Sequence, residues 1–209
     1  VKLKLVRHAE STANVRKAIN TRLPGPPLSD VGRQQADELA ARLRSEPVVA
    51  VYSSLATRAQ QTATPVAAAH GVDLQVIDGV HEVFVGQLED RTDREGVEAY
   101  AQVFLPWIQG ELHHTMPGGE SGIEVRDRFV AAISEVRAKH EEEDPDGTVV
   151  MVSHGGVMRL GVELLADNVP RSGRVSGLIA NTGAVVLEAH RDGRWRCVAW
   201  DGVDLSGHG

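Results

Sequence analysis

The chain has 209 residues, 42% hydrophobic and 24% charged, which is enough for one substantial core and far from a disordered composition. Its formal charge of −7 argues against a general nucleic-acid binder or a partner of anionic membranes, and no run approaches the roughly 20 apolar residues that span a bilayer. The lone Cys197 excludes an intrachain disulfide framework and a cysteine-based zinc site. With an opening that reads as a strand rather than a signal peptide, a cytoplasmic protein is the expectation.

In chain order, Val1, Leu3 and Leu5 alternate with Lys2 and Lys4, a period-two pattern that predicts a strand ending at Arg7 and His8. After a breaker run at 23–27, Ser29 or Asp30 can cap a helix whose Ala36, Leu39, Ala40 and Leu43 share one face. A β-branched run at 48–52 predicts a second strand, followed by an Ala-rich helix that contains Arg58 and that Pro65 should kink or restart. Residues 74–77 form a third short strand, and the mixed segment 78–121 reads as a lid or insertion within a single domain spanning 1–209. Val125, Phe129, Ala132, Ile133 and Val136 recur at helical spacing, with fraying expected in the acidic run 141–144. A buried strand at 148–152 then leads to Ser153, His154, Gly155 and Gly156 and a helix over 157–166. Strand patterns at 184–190 and 195–200 flank Asp192-Gly193, a hairpin signal. Strands alternating with helices imply an α/β fold, a largely parallel sheet covered on both faces with an antiparallel hairpin near the end.

In such sheets ligands bind beyond the carboxyl ends of the strands, where loops and helix N-termini gather. The strand exits here carry Arg7 and His8, Arg58, Glu82, and His154 with Gly155 and Gly156. Arginines fork onto phosphate oxygens, so two of them beside two imidazoles point to a phosphate dianion.

These residues also carry a family resemblance. Leu5-Val6-Arg7-His8-Ala9-Glu10-Ser11 with Asn14 is similar to the signature of the histidine phosphatase superfamily, which includes the cofactor-dependent phosphoglycerate mutases. The likeness continues in order through Leu28 to Gly32, Ser53-Ser54, Arg58 to Ala63, Glu82, Gly86, Glu89, Gly118 to Ser121, Ser153 to Gly156, and Asn181-Thr182. The resemblance implies a phosphoglycerate mutase-like three-layer α/β/α fold with a mostly parallel central sheet and an antiparallel strand. It implies that His8 is the nucleophile, forming a phosphohistidine, and that Arg7, Arg58 and His154 hold the transferring group without a metal or other cofactor. Glu82 would be the general acid and then the base, and its carboxyl must carry a proton when the leaving group departs. Asn14 and the Gly155 N–H are further phosphate donors, and Arg22 could grip an anionic substrate. His154 must be cationic for its role, and a bound dianion would raise its pKa whereas the nearby arginines would lower it, a balance the sequence leaves open.

Three functions fit this set: hydrolysis of a small phosphomonoester, mutase-type transfer to a second hydroxyl, and phosphate binding without turnover. The short segment 21–27 and Asp90, where the family often has Gly, depart from the mutase-like pattern and favour hydrolysis. Each residue also has a plainer reading. Arg58 could be a solvent-facing charge, Glu89 competes with Glu82, and the two glycines after His154 could simply serve a tight turn. His113 and His114 are not expected to converge on a metal, and Trp107, Trp195 and Trp200 are expected to pack in the core. Gly118-Gly119 reads as a turn, since the spacing of a nucleotide-phosphate loop is absent. The antiparallel strand near the C-terminus offers a sheet edge for a homodimer.

Overall fold

The structure, a computed structural model, describes residues 1–169 and 178–206. Four parallel strands form its centre: β1 (Lys2–Arg7), β2 (Val48–Ser53), β3 (Leu74–Val76) and β4 (Thr148–Ser153). An antiparallel extension of β5 (Ala184–Ala189), β6 (Trp195–Trp200) and β7 (Val203–Asp204) completes a sheet ordered β3-β2-β4-β1-β5-β6-β7. The strand β4 is buried along its whole length because both of its faces are covered. Val149 and Met151 join Leu3, Leu5, Ala50 and Tyr52 in one core, whereas Val150 and Val152 join Val6 and Val51 in the other.

Two helices cover the second core: α2 (Asp30–Leu43), through Leu39, Ala40 and Leu43, and α3 (Thr57–His70), through Ala59, Ala63, Val66 and Ala67. Of the two candidate caps for α2, Ser29 serves: its hydroxyl accepts the Gly32 N–H at 3.0 Å. Pro65 neither ends nor restarts α3, which runs as one helix to Gly71 in the left-handed conformation. Packing of its small apolar face against the sheet outweighs the single backbone bond that proline removes.

The opposite face carries α4 (Arg94–Ile108), α5 (Gly122–Glu143) and α6 (Gly155–Leu165). The helix α4 corrects the irregular reading of 78–121. Val97, Tyr100, Phe104 and Trp107 lie at helical spacing, a pattern that Gly96 and Pro106 near the two ends disguise. A single turn, α1 (Thr12–Val15), follows the first strand and is closed by a capping box between Ser11 and Asn14. Trp107, Trp195 and Trp200 are buried in the core, as expected. No helix among the described residues is long and apolar enough to cross a membrane.

The sheet register brings the functional strand ends together. Arg7 pairs with Ser153 across β1 and β4, and Ser53 pairs with Val152 across β2 and β4, so three neighbouring strands end at one level. The helix α6 leaves this edge and crosses α5 at Gly161, where a Cβ would stand 2.2 Å from the ring of the buried Phe129. Gly161→Ala is therefore expected to lower stability by about 1–3 kcal/mol through overpacking. Equilibrium urea unfolding checks this, and an unchanged midpoint would contradict the close approach.

Candidate active site

His8 follows β1 directly and is only 4% exposed. Its Nδ1 lies 2.7 Å from the Ala9 carbonyl oxygen, and the Arg58 Nε–H donates to its Nε2 at 3.2 Å. A carbonyl can only accept and a guanidinium only donate, so these two bonds assign the proton to Nδ1 and the lone pair to Nε2. The backbone here is pinned from both sides: the Thr62 hydroxyl accepts the Ala9 N–H at 3.0 Å, and the Asn181 amide donates to the His8 carbonyl at 3.0 Å.

Arg58 stands in the first turn of α3 and is buried, not turned to solvent. Its Nη2 donates to His154 Nδ1 at 3.1 Å and to the Asn20 carbonyl at 3.2 Å. His154, fully buried at the end of β4, therefore carries its proton on Nε2 and donates it to the Ser54 hydroxyl at 2.7 Å. One guanidinium thus bridges two imidazoles, whose rings lie 5.1 Å apart. Burial first, and Arg58 second, hold the pKa of both histidines well below the ordinary imidazole value. His154 is consequently neutral in this site: of the opposing influences that the sequence left open, burial and the neighbouring arginine prevail here. Burial also lowers the pKa of Arg7 and Arg58, but from a value so high that both stay charged.

Arg7, the last residue of β1, donates from Nη1 to the Ile179 carbonyl at 2.6 Å. Arg7 Nε and Arg58 Nη1 are buried without a hydrogen-bond partner among the described residues. Leaving such donors unmatched is costly, and an anion is the partner that suits them.

Glu82 faces this group from the loop after β3. Its Oε1 accepts the N–H groups of Val83 and Val157 at 2.9 Å each, and its Oε2 accepts that of Gly156 at 3.1 Å. The last two donors belong to the first turn of α6, whose helix end favours an acceptor there. The loop itself is buckled by Arg128, which donates to the carbonyl oxygens of Gly79, His81 and Glu82 while paired with Glu120. Glu89 acts elsewhere, on the loop opposite: its carboxylate accepts the Thr21 N–H and hydroxyl at 2.6 Å each and the Arg22 N–H at 3.1 Å. It thereby fixes the loop whose Asn20 carbonyl supports Arg58. Asp90, beside it, has a φ of 62°, a left-handed conformation that short polar residues tolerate and glycine adopts without strain.

A cavity of about 260 Å³ opens on these groups, and Arg7, His8, Asn14, Arg58, Glu82 and Gly155 all line it. Asn14 Oδ1 accepts the Ser11 N–H, which leaves its amide nitrogen as the donor on offer, and Gly155 opens α6 with an N–H that has no intrahelical acceptor. Arg22 is not brought to the site: its side chain is 71% exposed and turns toward Asp90, 3.9 Å away. Residues missed in the sequence complete the lining, notably Asn20, Thr21, Tyr100, Phe104 and Arg159. For Arg159 there was a signal, its position one helical turn past Gly155. His113 and His114 do converge, with ring centroids 4.3 Å apart and Glu111 3.1 Å from His114 Nε2, but they do not line the cavity.

With this geometry in place, the chain matches the family model described as histidine phosphatase superfamily (branch 1) over residues 3–202. It belongs to that superfamily. It is 32% identical over 202 residues to a metal-independent phosphoserine phosphatase of Arabidopsis thaliana, covering 95% of this chain and 80% of the relative. It is 28% identical over 217 residues to PE-PGRS family protein PE_PGRS11 of Mycobacterium tuberculosis, where 96% of this chain spans only 36% of the relative's length. The solved structure of a mycobacterial glucosyl-3-phosphoglycerate phosphatase with VO3 superposes with a TM-score of 0.80 at 28% identity, covering 96% of this chain and 98% of that one.

Two outcomes follow from the geometry. In an NMR titration the His8 ring should stay neutral, with its proton on Nδ1, as pH falls through about 6.5, and take up a second proton only well below that. Arg58→Gln removes the second cause of the shift and should move this protonation to higher pH, whereas an ordinary titration in both proteins would contradict the assignment. At Gly156 a Cβ would stand 2.7 Å from Glu82 Oε1. Gly156→Ala should therefore displace a carboxylate held by three N–H groups and slow p-nitrophenyl phosphate turnover about 10- to 100-fold. Its thermal unfolding should stay near that of the parent.

Proposed function

We propose that the protein is a metal-independent phosphomonoester hydrolase that works through a phosphohistidine at His8. The observation that carries this reading is the tautomer of His8, with Nδ1–H on the Ala9 carbonyl and the Nε2 lone pair turned toward Arg58. As the phosphate dianion arrives, the Arg58 Nε–H leaves Nε2 for a phosphate oxygen, and Arg7, Asn14 and the Gly155 N–H take the others. The arriving negative charge also favours a proton on His154, which turns a neutral imidazole into a third cation.

Nε2 then attacks phosphorus in line, the bond from phosphorus to the ester oxygen breaks, and Glu82 gives its proton to the departing alkoxide. The positive charge that forms on the phosphorylated ring is stabilised by the Ala9 carbonyl. Water next attacks phosphorus, the bond to Nε2 breaks, and Glu82 takes the proton back. Fixed donors aimed at the equatorial oxygens supply most of the rate enhancement.

Convergence of Arg7, His8, Arg58 and Glu82 on one cavity, with His154 buried behind Arg58, favours turnover over mere phosphate binding. Hydrolysis rather than mutase-type transfer is supported by relatives named as phosphatases and by the outward course of Arg22. The segment 78–121 serves in this reading as the cover of the site, since α4 contributes Val97, Tyr100 and Phe104 to its wall. A small phosphorylated substrate and a cytoplasmic location complete the proposal.

Rapid quenching with ³²P-labelled substrate tests it. Label that is stable to alkali and lost in acid should appear on the parent protein and persist longer in Glu82→Gln. None should appear in His8→Ala, which should also lose at least about 1,000-fold in turnover. Covalent label on His8→Ala would overturn the assignment.

A further inference from the structure

Away from the catalytic cavity, the end of α5 gathers three ligating side chains that the phosphate chemistry leaves unused. His140, in the last turn of that helix, is only 3% exposed, and its Nδ1 is buried with no hydrogen-bond partner among the described residues. The other ring nitrogen, Nε2, lies 2.9 Å from the Tyr52 hydroxyl. Nδ1 is aimed at the carboxylate of Asp144, the residue that ends the helix, whose Oδ2 is 3.8 Å away. Glu143 completes the group: one ligand atom from each of the three residues lies within 4.8 Å of the other two. The turn is held from within, since the Asp144 N–H donates to the His140 carbonyl at 3.0 Å and the Gly147 N–H to the Asp144 carbonyl at 2.9 Å. Two features here run against stability. A buried ring nitrogen is left unmatched, and Glu141 to Asp144 place four carboxylates at a helix end where the backbone carbonyls already concentrate negative charge. Arg137 pairs with Glu141 alone among these four, and Lys139 adds one positive charge near the ring.

We infer that His140 Nδ1 and the carboxylates of Glu143 and Asp144 bind a divalent transition-metal ion of the zinc type, which ties the end of α5 to the turn that enters β4. The inference stands apart from the hydrolase reading, because none of the three residues lines the catalytic cavity and the ion takes no part in phosphate chemistry. One imidazole with two carboxylates suits zinc, whereas calcium and magnesium favour shells made of oxygen alone. Ligands about 2.1 Å from a tetrahedral ion stand about 3.4 Å apart, so a small rotation of the carboxylates closes the site. Glu143 is exposed and Asp144 half-buried, which leaves the outer side open for water to complete the shell. With the ion bound, Nε2–H donates to the Tyr52 oxygen, and this outer contact selects the tautomer whose Nδ1 lone pair ligates.

Equilibrium dialysis of the untagged chain against zinc chloride tests this. Glu111, His113 and His114 form a second, more exposed cluster, so the measurement uses His113→Ala/His114→Ala protein as its parent. That protein should take up one zinc ion with a Kd on the order of 10 μM. Glu143→Gln/Asp144→Asn and His140→Gln should each weaken this uptake at least about 30-fold. Zinc at about 0.2 mM should also raise the thermal midpoint of the parent by about 4 °C or more and leave that of the carboxylate variant in place. The carboxylate variant keeps the Tyr52 contact and so reads the effect even if His140→Gln does not fold. No uptake by the parent at about 0.2 mM zinc, uptake that the carboxylate variant leaves unchanged, or displacement of the zinc by millimolar magnesium would overturn the inference.

Discussion

A single buried guanidinium governs this site. Arg58 donates to His8 through Nε and to His154 through Nη2, and those two bonds require an unprotonated nitrogen on each ring. The lone pair on His8, its tautomer and the neutral state of both imidazoles therefore follow from where one side chain is held. A buried cation among neutral rings is destabilising by itself. It is kept in place by the Asn20 carbonyl and by the Glu89 clamp on the loop that carries that carbonyl. Strain of this kind is expected where a protein prepares for an anion rather than for its own stability.

The fold supplies this arrangement through strand register more than through loops. Because β2, β4 and β1 lie side by side and end at one level, His8, Ser54 and His154 emerge as neighbours although they are far apart in sequence. The carboxylate then reaches the opposite wall through the start of α6, which donates two N–H groups to it while presenting Gly155 to the cavity. One helix end thus orients the Glu82 carboxylate and presents a free N–H to the cavity. The same helix, a turn later, holds Arg159 against Phe104. The rigid core that α6 shares with Phe129 fixes all three relationships at once.

Where sequence and structure part, the causes are identifiable. Pro65 suggests a break by local propensity alone, which takes no account of the sheet and the neighbouring α2 that keep α3 continuous. The helix α4 is obscured by a glycine and a proline near its ends, although its Val97–Tyr100–Phe104–Trp107 stripe has the helical period. Arg22 lies close in sequence to several site residues but turns outward, since the Glu89 clamp grips its backbone and not its side chain.

What the sequence determined by itself was the alternation of strand and helix, the covered parallel sheet, and the short set of polar residues at strand exits. Those features are local: hydrophobic period, β-branching and capping residues act within a few positions, and strand ends can be read from them. Which carboxylate faces the histidines, which nitrogen of each ring holds the proton, and whether His154 is charged depended on burial and on donors brought from elsewhere in the chain. Only the tertiary structure decided these, because a protonation state is set by the field and solvent exclusion of neighbours in space, and a one-dimensional pattern carries neither.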